Sequence, residues 1–466
     1  MKAFDLVIIG GGAGAFGAAI RANELGAKTA MINAGLPLGG TCVNVGCVPS
    51  KTLLYAADIV HLARSHGIPG IELEVRKFDF QKVVQDELAL VGKLRDEKYS
   101  KVLNSLEHVT FLEGRATFVS SHEVVLNGET IHGGKFIIAT GSTASTPPLE
   151  GIKETGFVTH IEALALEKQP KELVVIGAGP LGLEFGQMYS RFGTTVTVLE
   201  MLPTIFPASE PELVNRLSEV LSREGITIRT GAKVKRAWKE KKKIVAYEVE
   251  GKEERVAGDE ILLATGKTPN TAGLGLEAAS ISIDKRQAVV VNEFLQTSNP
   301  DVFAVGDAAS LPLRLEITAG HEGTLAAENA LTGSRKGIDY DVVPYTIFTD
   351  PQLAGVGLTE EEQMKRFGTC MCRTVPFADV PKAIITKRTE GLIKMAIHPE
   401  TKQITGIHIL APHAGELVAQ AMMLVKNKNT IDDVAESLPM FPTLSEAIKL
   451  AALSFTKDIS KLSCCI

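Results

Sequence analysis

Two cysteines separated by four residues form the most chemically specific segment of the sequence, GGTCVNVGCVPSKTLLYAADIV. Pro49 suits a first helical turn, so the pattern predicts a helix whose N-terminus carries Cys47, where a thiolate is stabilised. Lys51 follows one turn later on the same face and adds a cation. With Cys42 as a second thiol, the segment predicts a redox site. The plainer interpretation is two buried cysteines in a core helix.

A second cysteine pair, Cys464 and Cys465, lies in the closing KLSCCI. Adjacent Cα atoms are about 3.8 Å apart across a trans peptide, whereas relaxed disulfides span about 4.4–6.8 Å. We therefore expect a dithiol that exchanges or binds a soft metal ion. The alternative is a frayed chain end without a function.

A third pair, Cys370 and Cys372, lies in GTCMCRTVPF. Residues two apart in a strand share a face. We favour a pair of small apolar strand residues; the alternative is an accessory metal site.

Two glycine turns must position these groups against cofactors. Each follows an apolar strand and opens a helix, in FDLVIIGGGAGAFGAAI and ELVVIGAGPLGLEFG, and fits the dinucleotide-binding pattern G-x-G-x-x-G/A. In that pattern the glycines let the backbone approach a pyrophosphate at the positive end of the helix. The candidate cofactor-binding residues are Gly10, Gly12, Gly14 and Ala15 in the first turn and Gly177, Gly179 and Gly182 in the second.

The two units continue alike, because FIIATGS and ILLATGK follow them in the same order. This internal duplication predicts two dinucleotide-binding domains. The acid that binds ribose hydroxyls about 20 residues after the glycines is Glu200 in the second unit. Asn33 stands at the matching place in the first unit, where it can still hydrogen-bond a ribose. Glu200 predicts that NADH is used at least as well as NADPH.

Composition excludes several function classes. The 466 residues are 45% hydrophobic and 22% charged with a net charge of −6 and no long basic run, which excludes nucleic acid as an expected partner. No segment is long and apolar enough for membrane insertion, and the start is unlike a signal peptide, so we expect a cytoplasmic protein. Six cysteines are too few for a disulfide scaffold.

The cysteine segment, both glycine turns, both ATG stretches and TSNPDVFAVGDAA resemble the flavin disulfide oxidoreductases, which include dihydrolipoamide dehydrogenases, glutathione reductases and mercuric reductases. The resemblance implies FAD in the first domain and NADH or NADPH in the second. It also implies that Cys47 faces the flavin, that Cys42 exchanges with substrate, and that Lys51 pairs with Glu184. Further cofactor-binding residues implied by it are Thr41, Lys51, Thr140, Gly141, Gly266 and Asp307. The helix near Thr318 would point its positive end at the flavin.

One stretch distinguishes members of this family. The disulfide reductases use a His-Pro backed by a Glu as their acid–base, but LPMFPTLSEAIKLAAL places Phe441 before Pro442. Phenylalanine cannot carry a proton, and we expect Glu446 to close a capping box with Thr443. Together with the cysteine tail, this resembles the mercuric reductases.

That resemblance implies Hg(II) as the substrate, reduced to Hg(0). The terminal pair would take thiol-chelated Hg(II) and pass it to the inner pair of the partner subunit, so Cys42, Cys47, Cys464 and Cys465 become the metal ligands. Tyr99 in LRDEKYSKVL matches one active-site tyrosine of that family, and the other falls at Phe441.

The expected architecture is α/β, with two Rossmann-like domains and an α+β interface domain that forms a homodimer. The FAD domain comprises residues 1–146 and 268–339, the NAD(P) domain 147–267, and the interface domain 340–466. Two rival functions stay open: a disulfide reductase like dihydrolipoamide dehydrogenase, and a non-catalytic flavoprotein that sequesters soft metals.

Overall fold

The computed structural model describes residues 2–463. Within this range the α-helices are α1 (Ala13–Glu24), α2 (Gly40–Val45), α3 (Cys47–Ser65), α4 (Phe80–Arg95), α5 (Lys101–Asn104), α6 (Ile152–Thr155), α7 (His160–Leu164), α8 (Pro180–Phe192), α9 (Pro211–Arg223), α10 (Glu316–Thr332), α11 (Glu360–Phe367), α12 (Pro381–Thr386), α13 (Ala414–Lys426), α14 (Ile431–Ala435) and α15 (Glu446–Leu453). A π-helical turn lies at Asp96–Ser100.

The strands are β1 (Lys2–Ile9), β2 (Thr29–Asn33), β3 (Val109–Glu113), β4 (Ala116–Ser120), β5 (Glu123–Leu126), β6 (Glu129–Ile138), β7 (Ser142–Ala144), β8 (Glu172–Ile176), β9 (Thr195–Leu199), β10 (Thr227–Arg229), β11 (Lys233–Lys239), β12 (Lys243–Val249), β13 (Lys252–Gly258), β14 (Glu260–Leu263), β15 (Lys267–Pro269), β16 (Val302–Ala304), β17 (Tyr345–Ile347), β18 (Gln352–Gly357), β19 (Met371–Pro376), β20 (Leu392–Ile397) and β21 (Ile404–Ala411).

The first domain is built on a sheet with strand order β3-β2-β1-β6-β5-β4, to which β16 adds beside β6. The first four strands of that order pair in parallel. The apolar run of β1 is buried on both faces, as a central parallel strand requires. Leu6 and Ile8 pack among residues of α1 and α10, whereas Val7 packs on the other face with Phe118 and Val124. The β5–β6 hairpin turns through Asn127-Gly128, both at positive φ.

The second domain repeats the parallel core, with strand order β10-β9-β8-β14. This order corresponds strand for strand to β3-β2-β1-β6, so the sequence duplication is also a duplication of topology. An antiparallel sheet β11-β12-β13 stands beside it. The chain passes between the two domains at the antiparallel pair β7 and β15.

The third region is an antiparallel sheet, β17-β18-β21-β20-β19, packed with helices that include α13 and α15. The helix that was expected at GELVAQAMMLVKN is α13, which buries Val418, Ala421 and Val425. The predicted fold class, two dinucleotide-binding domains and an α+β interface domain, is confirmed. Among the described residues, no helix has the length and apolarity to cross a membrane.

A buried arginine joins the three regions. Arg191 of α8 lies 2.5 Å from Asp58 of α3, 2.7 Å from Glu224 and 3.1 Å from Asp350. Its side chain is almost fully buried, so removal of the arginine would deprive Asp58, Glu224 and Asp350 of the cation that they share. Because α3 begins at Cys47, this network holds the helix of the cysteine site against the second domain.

Candidate active site

The inner cysteine pair spans the junction of two helices. Cys42 lies on α2, and Cys47 begins α3 after Gly46. Both thiols are free. A hydrogen bond between them lowers the pKa of Cys47 to about 7, aided by the charge of Lys51 and opposed by burial. The same hydrogen bond and burial raise the pKa of Cys42. The pair therefore holds a proton on Cys42 and a thiolate on Cys47 near neutral pH.

The cation beside this thiolate is held from two sides. Lys51 Nζ lies 2.7 Å from Glu184 Oε2 on α8 and 4.6 Å from the centre of the Phe348 ring. Glu184 is buried, and its other oxygen accepts a hydrogen bond from the Phe348 N–H at 2.9 Å. The ion pair implied by the resemblance is present. Phe348 was not identified from the sequence, because nothing local marks a ring contributed from 164 residues beyond Glu184.

A carboxylate opposes that cation. Glu316 begins α10, and its charge raises the pKa of both Cys42 and Cys47. Sequence reasoning considered this helix only at Thr318, whose buried hydroxyl donates to the Leu315 carbonyl at 2.8 Å. Glu316 is the first residue of the helix that was expected to point at the flavin. An acid at that position was the signal that could have identified it.

Tyr99 lies in the π-helical turn, with its ring 4.9 Å from that of Phe16 in an edge-to-face arrangement. Burial raises the pKa of its phenol to about 12, with a smaller contribution from the charge of Cys42. The phenol is therefore protonated at neutral pH and lies close enough to the inner pair for the charges of both cysteines to act on it.

A second lysine was missed. Lys267 follows Gly266, and burial lowers its pKa while the charges of Asp307 and Cys47 oppose that shift. Its Nζ lies 3.3 Å from Nε2 of His160, and burial lowers the pKa of that imidazole to about 4. The lysine directly follows the second ATG stretch, which is the signal that could have identified it.

The first glycine turn has no room for a side chain at Gly10. A Cβ on Gly10, where φ is +145°, would lie 2.2 Å from the Ala139 carbonyl oxygen. A Cβ on Gly40 would lie 2.7 Å from the Cα of Gly12. Asn33 ends β2 above this turn, where its amide donates to the Leu36 carbonyl at 3.0 Å. The bare backbone at the N-terminus of α1 is suited to a pyrophosphate.

Polar groups of the other predicted FAD residues lie around that turn. The hydroxyl of Thr140 is buried and has no hydrogen-bond partner among the described residues, as expected where a ligand supplies one. Gly141 follows at φ +67° with open space beside it. Asp307 accepts a hydrogen bond from the Ser142 hydroxyl, and Thr41 lies on α2 beside Cys42. These residues fit FAD. Gly14 and Ala15 face inward, and Gly14 packs against Val305.

Two glycines of the second turn are equally confined. A Cβ on Gly177 would lie 2.4 Å from the Ala264 carbonyl oxygen, and one on Gly182 would lie 2.0 Å from that of Gly177. Nothing lies within 4 Å of the Cβ position of Gly179, nor of Gly266. Glu200 accepts backbone hydrogen bonds from Ala178 at 2.7 Å and from Leu202 at 2.8 Å. The acid is thus fixed beside the turn.

Two expectations about other segments need correction. Cys370 and Cys372 are joined by a disulfide, so they are not a pair of separate apolar residues. The capping box at Thr443 is half present: Glu446 accepts from the Thr443 N–H at 3.0 Å, but Ser445 caps α15. An extra turn between Thr443 and the helix explains the difference.

Two further predicted elements belong to the end of the chain. Phe441 is 43% exposed in the segment before α15. The terminal pair, Cys464 and Cys465, lies outside the described residues.

Comparison with known families defines the class of protein. The family described as pyridine nucleotide-disulphide oxidoreductase matches residues 4–331, and its dimerisation domain matches residues 343–452. The chain therefore belongs to the pyridine nucleotide-disulphide oxidoreductases. Membership implies FAD and NAD(P)H as cofactors, and the dimerisation domain supports a homodimer.

Individual relatives point to more than one substrate. Mercuric reductase of Staphylococcus aureus is 37% identical over 465 residues, covering 99% of this chain and 84% of the relative. Dihydrolipoyl dehydrogenase of Thermus scotoductus is 38% identical over 472 residues, covering 98% of each. Among solved structures, the HOCl-induced flavoprotein disulfide reductase RclA of Escherichia coli is similar with a TM-score of 0.85 at 27% identity, covering 98% of this chain and all of the other.

Proposed function

We propose that this protein reduces Hg(II) to Hg(0) with NAD(P)H, through FAD and the dithiol of Cys42 and Cys47. The observation that carries the proposal is the inner pair itself, a thiolate on Cys47 held by the Cys42 proton and the Lys51 charge. Relatives named mercuric reductase that align over 99% of the chain support the choice of metal.

The thiols do ligand exchange in this proposal. Cys42, the exchange thiol, loses its proton to solvent, attacks a thiol-chelated Hg(II) and releases one small thiolate. The Cys47 thiolate then displaces the second small thiolate, which leaves Hg(II) between two protein sulfurs. FAD, when bound, would deliver the electron pair of NAD(P)H to this site, so that Hg(0) leaves and both sulfurs are again available. No step requires a proton to be delivered to a leaving sulfur.

The chain's own residues hold the cofactors. The first glycine turn, Asn33, Thr140, Gly141 and Asp307 would bind FAD, and the second glycine turn would bind the nicotinamide nucleotide. Lys51 and Glu184 would lie where the two cofactors meet. Because Glu200 occupies the ribose-binding place, we propose that NADH has a kcat/KM at least equal to that of NADPH. Steady-state kinetics with both nucleotides tests this choice.

The remaining parts of the proposal concern assembly. The protein would act as a homodimer in the cytoplasm, and Cys464 and Cys465 would carry thiol-chelated Hg(II) to the inner pair of the partner subunit. The exposed segment that contains Phe441 would approach the inner cysteine pair of the partner subunit.

A disulfide reductase like dihydrolipoamide dehydrogenase is the second candidate, favoured by the Thermus scotoductus relative. Phe441 opposes it, because a leaving thiolate needs a proton that phenylalanine cannot give. NAD(P)H oxidation by the purified holoenzyme, measured in parallel with Hg(II), lipoamide and glutathione disulfide, separates the candidates. Turnover confined to Hg(II) supports the proposal, and faster lipoamide turnover would replace it with the second candidate.

A further inference from the structure

A second set of metal-binding groups lies far along the chain from the inner pair. Cys372 is on the edge strand β19, opposite Ala396 of β20, and Cys370 immediately precedes that strand. A carboxylate oxygen of Glu360, at the start of α11, lies within 4.8 Å of both sulfurs. These three side chains come from two separate elements and converge on one point at the edge of the sheet.

Glu360 also belongs to an acidic cluster in the same region of the fold. Lys394 of β20 is buried, and its ammonium lies 2.9 Å from Glu210, 2.9 Å from Glu212 and 2.5 Å from Glu360. The guanidinium of Arg373 donates a hydrogen bond to the Cys372 carbonyl at 3.0 Å, so the charge around the sulfurs is mixed. Glu360 is thus the carboxylate that links the Lys394 cluster to the two sulfurs.

We propose that Cys370, Cys372 and Glu360 form a binding site for a thiophilic divalent cation, and that the site is available only when the two cysteines are reduced. Two thiolates and a carboxylate are ligands that Zn(II) and its heavier relatives accept. The site shares no residue with the inner pair, so it does not depend on the function proposed above.

Reduction is the step that prepares the site. Two small-molecule thiols reduce the Cys370–Cys372 disulfide: the protein S–S bond breaks, the two small thiols form their own disulfide, and their two protons pass to the cysteines. Each cysteine then releases its proton as it binds the cation. The disulfide form offers no thiolate, so the redox state of the pair controls binding. Glu360 also forms an ion pair with the buried Lys394, which links the site to the core of the interface domain.

The test uses Cd(II) and the FAD-loaded protein. Wild type and Cys370→Ser/Cys372→Ser are reduced with excess dithiothreitol, desalted without oxygen, and dialysed to equilibrium against Cd(II). Because both chains retain the inner pair and the tail, their difference reports this site alone. We expect wild type to bind one more Cd(II) per chain than the double variant. Equal binding by the two proteins, both with full FAD content, would overturn the proposal.

Single carboxylate variants provide a second readout that leaves both cysteines in place. Glu360→Gln removes a direct ligand, so Cd(II) affinity at this site should fall at least about tenfold. Removing a residue that only supports a metal ligand typically costs about 10–100-fold in affinity, and a direct ligand should cost no less. Glu361→Gln is the matched control, because Glu361 is the next residue, is exposed and pairs with Lys365. Equal affinity in the two variants, or one extra Cd(II) bound by unreduced wild type, would contradict the proposed ligand set.

Discussion

Two cysteine pairs in this chain have opposite surroundings. Cys47 begins a helix beside a lysine, Cys42 lies on the preceding helix, and their pKa values are driven apart. Cys370 and Cys372 lie at the edge of an antiparallel sheet, near a carboxylate, and are joined to each other. The comparison teaches that the number of cysteines says little about reactivity, because the hydrogen bond between the inner thiols and the nearest charge decide which sulfur is a thiolate.

The largest expected effect separates the pairs by activity. Cys47→Ala should lower Hg(II)-dependent NAD(P)H oxidation at least about 10³-fold, the scale of loss when a nucleophile is removed. Cys372→Ser is the matched control, and it should turn over Hg(II) at the wild-type rate. Both variants should retain FAD, measured by absorbance. Comparable loss in the two variants would erase the functional distinction between the pairs.

The next effect extends the comparison to the terminal pair. Cys464→Ala with Cys465→Ala should slow reduction of thiol-chelated Hg(II) by about 10²-fold, because delivery by a tethered carrier is replaced by bimolecular exchange. Reduction of small halide complexes, which can diffuse to the inner pair, should be spared. Steady-state rates with both forms of Hg(II) provide the measurement. The same loss with both substrates would assign the tail a structural role.

A smaller effect concerns pH. Because the pKa of Cys47 is about 7, its thiolate fraction, and with it the alkylation rate by iodoacetamide, should rise roughly tenfold per pH unit below that value and level off above it. Mass spectrometry of the labelled peptides should show Cys47 modified, whereas the disulfide protects Cys370 and Cys372. A midpoint above pH 8.5, the ordinary value for a thiol, would show that neither the Cys42 hydrogen bond nor Lys51 lowers the pKa of Cys47.

The smallest effect concerns the contribution of Lys51 to the pKa of Cys47. Lys51→Met removes a positive charge that lowers the pKa of Cys47, so the alkylation midpoint should move to higher pH. Glu316→Gln is the opposing variant, since the charge of Glu316 raises that pKa, and its midpoint should move lower. Shifts in the same direction in both variants would contradict the electrostatic account.

Much of this molecule could be predicted because its signals are local. The turn at Gly10 follows a strand and opens a helix within one segment, and the second turn repeats it, so both dinucleotide-binding domains were predictable. The position of Cys47 followed from Pro49 and the helical pattern behind it. These features depend on residues close together in the chain.

The rest could not be predicted because it depends on contacts between distant segments. Phe348 reaches Lys51 from the interface domain, and Arg191 joins carboxylates of three regions. The convergence of Glu360 on Cys370 and Cys372 needs the packing of α11 against the sheet edge. No periodicity in the sequence encodes such encounters.

The central claim, that the inner pair passes an electron pair from NAD(P)H to Hg(II), is tested most directly by collecting the product. Purified holoenzyme is given NADH or NADPH and cysteine-chelated Hg(II) in a closed vessel, and Hg(0) vapour is measured by atomic absorption beside nucleotide oxidation. We predict one Hg(0) released for each nucleotide oxidised, and none from Cys47→Ala. Nucleotide oxidation without Hg(0), or equal Hg(0) release by the variant, would contradict the account.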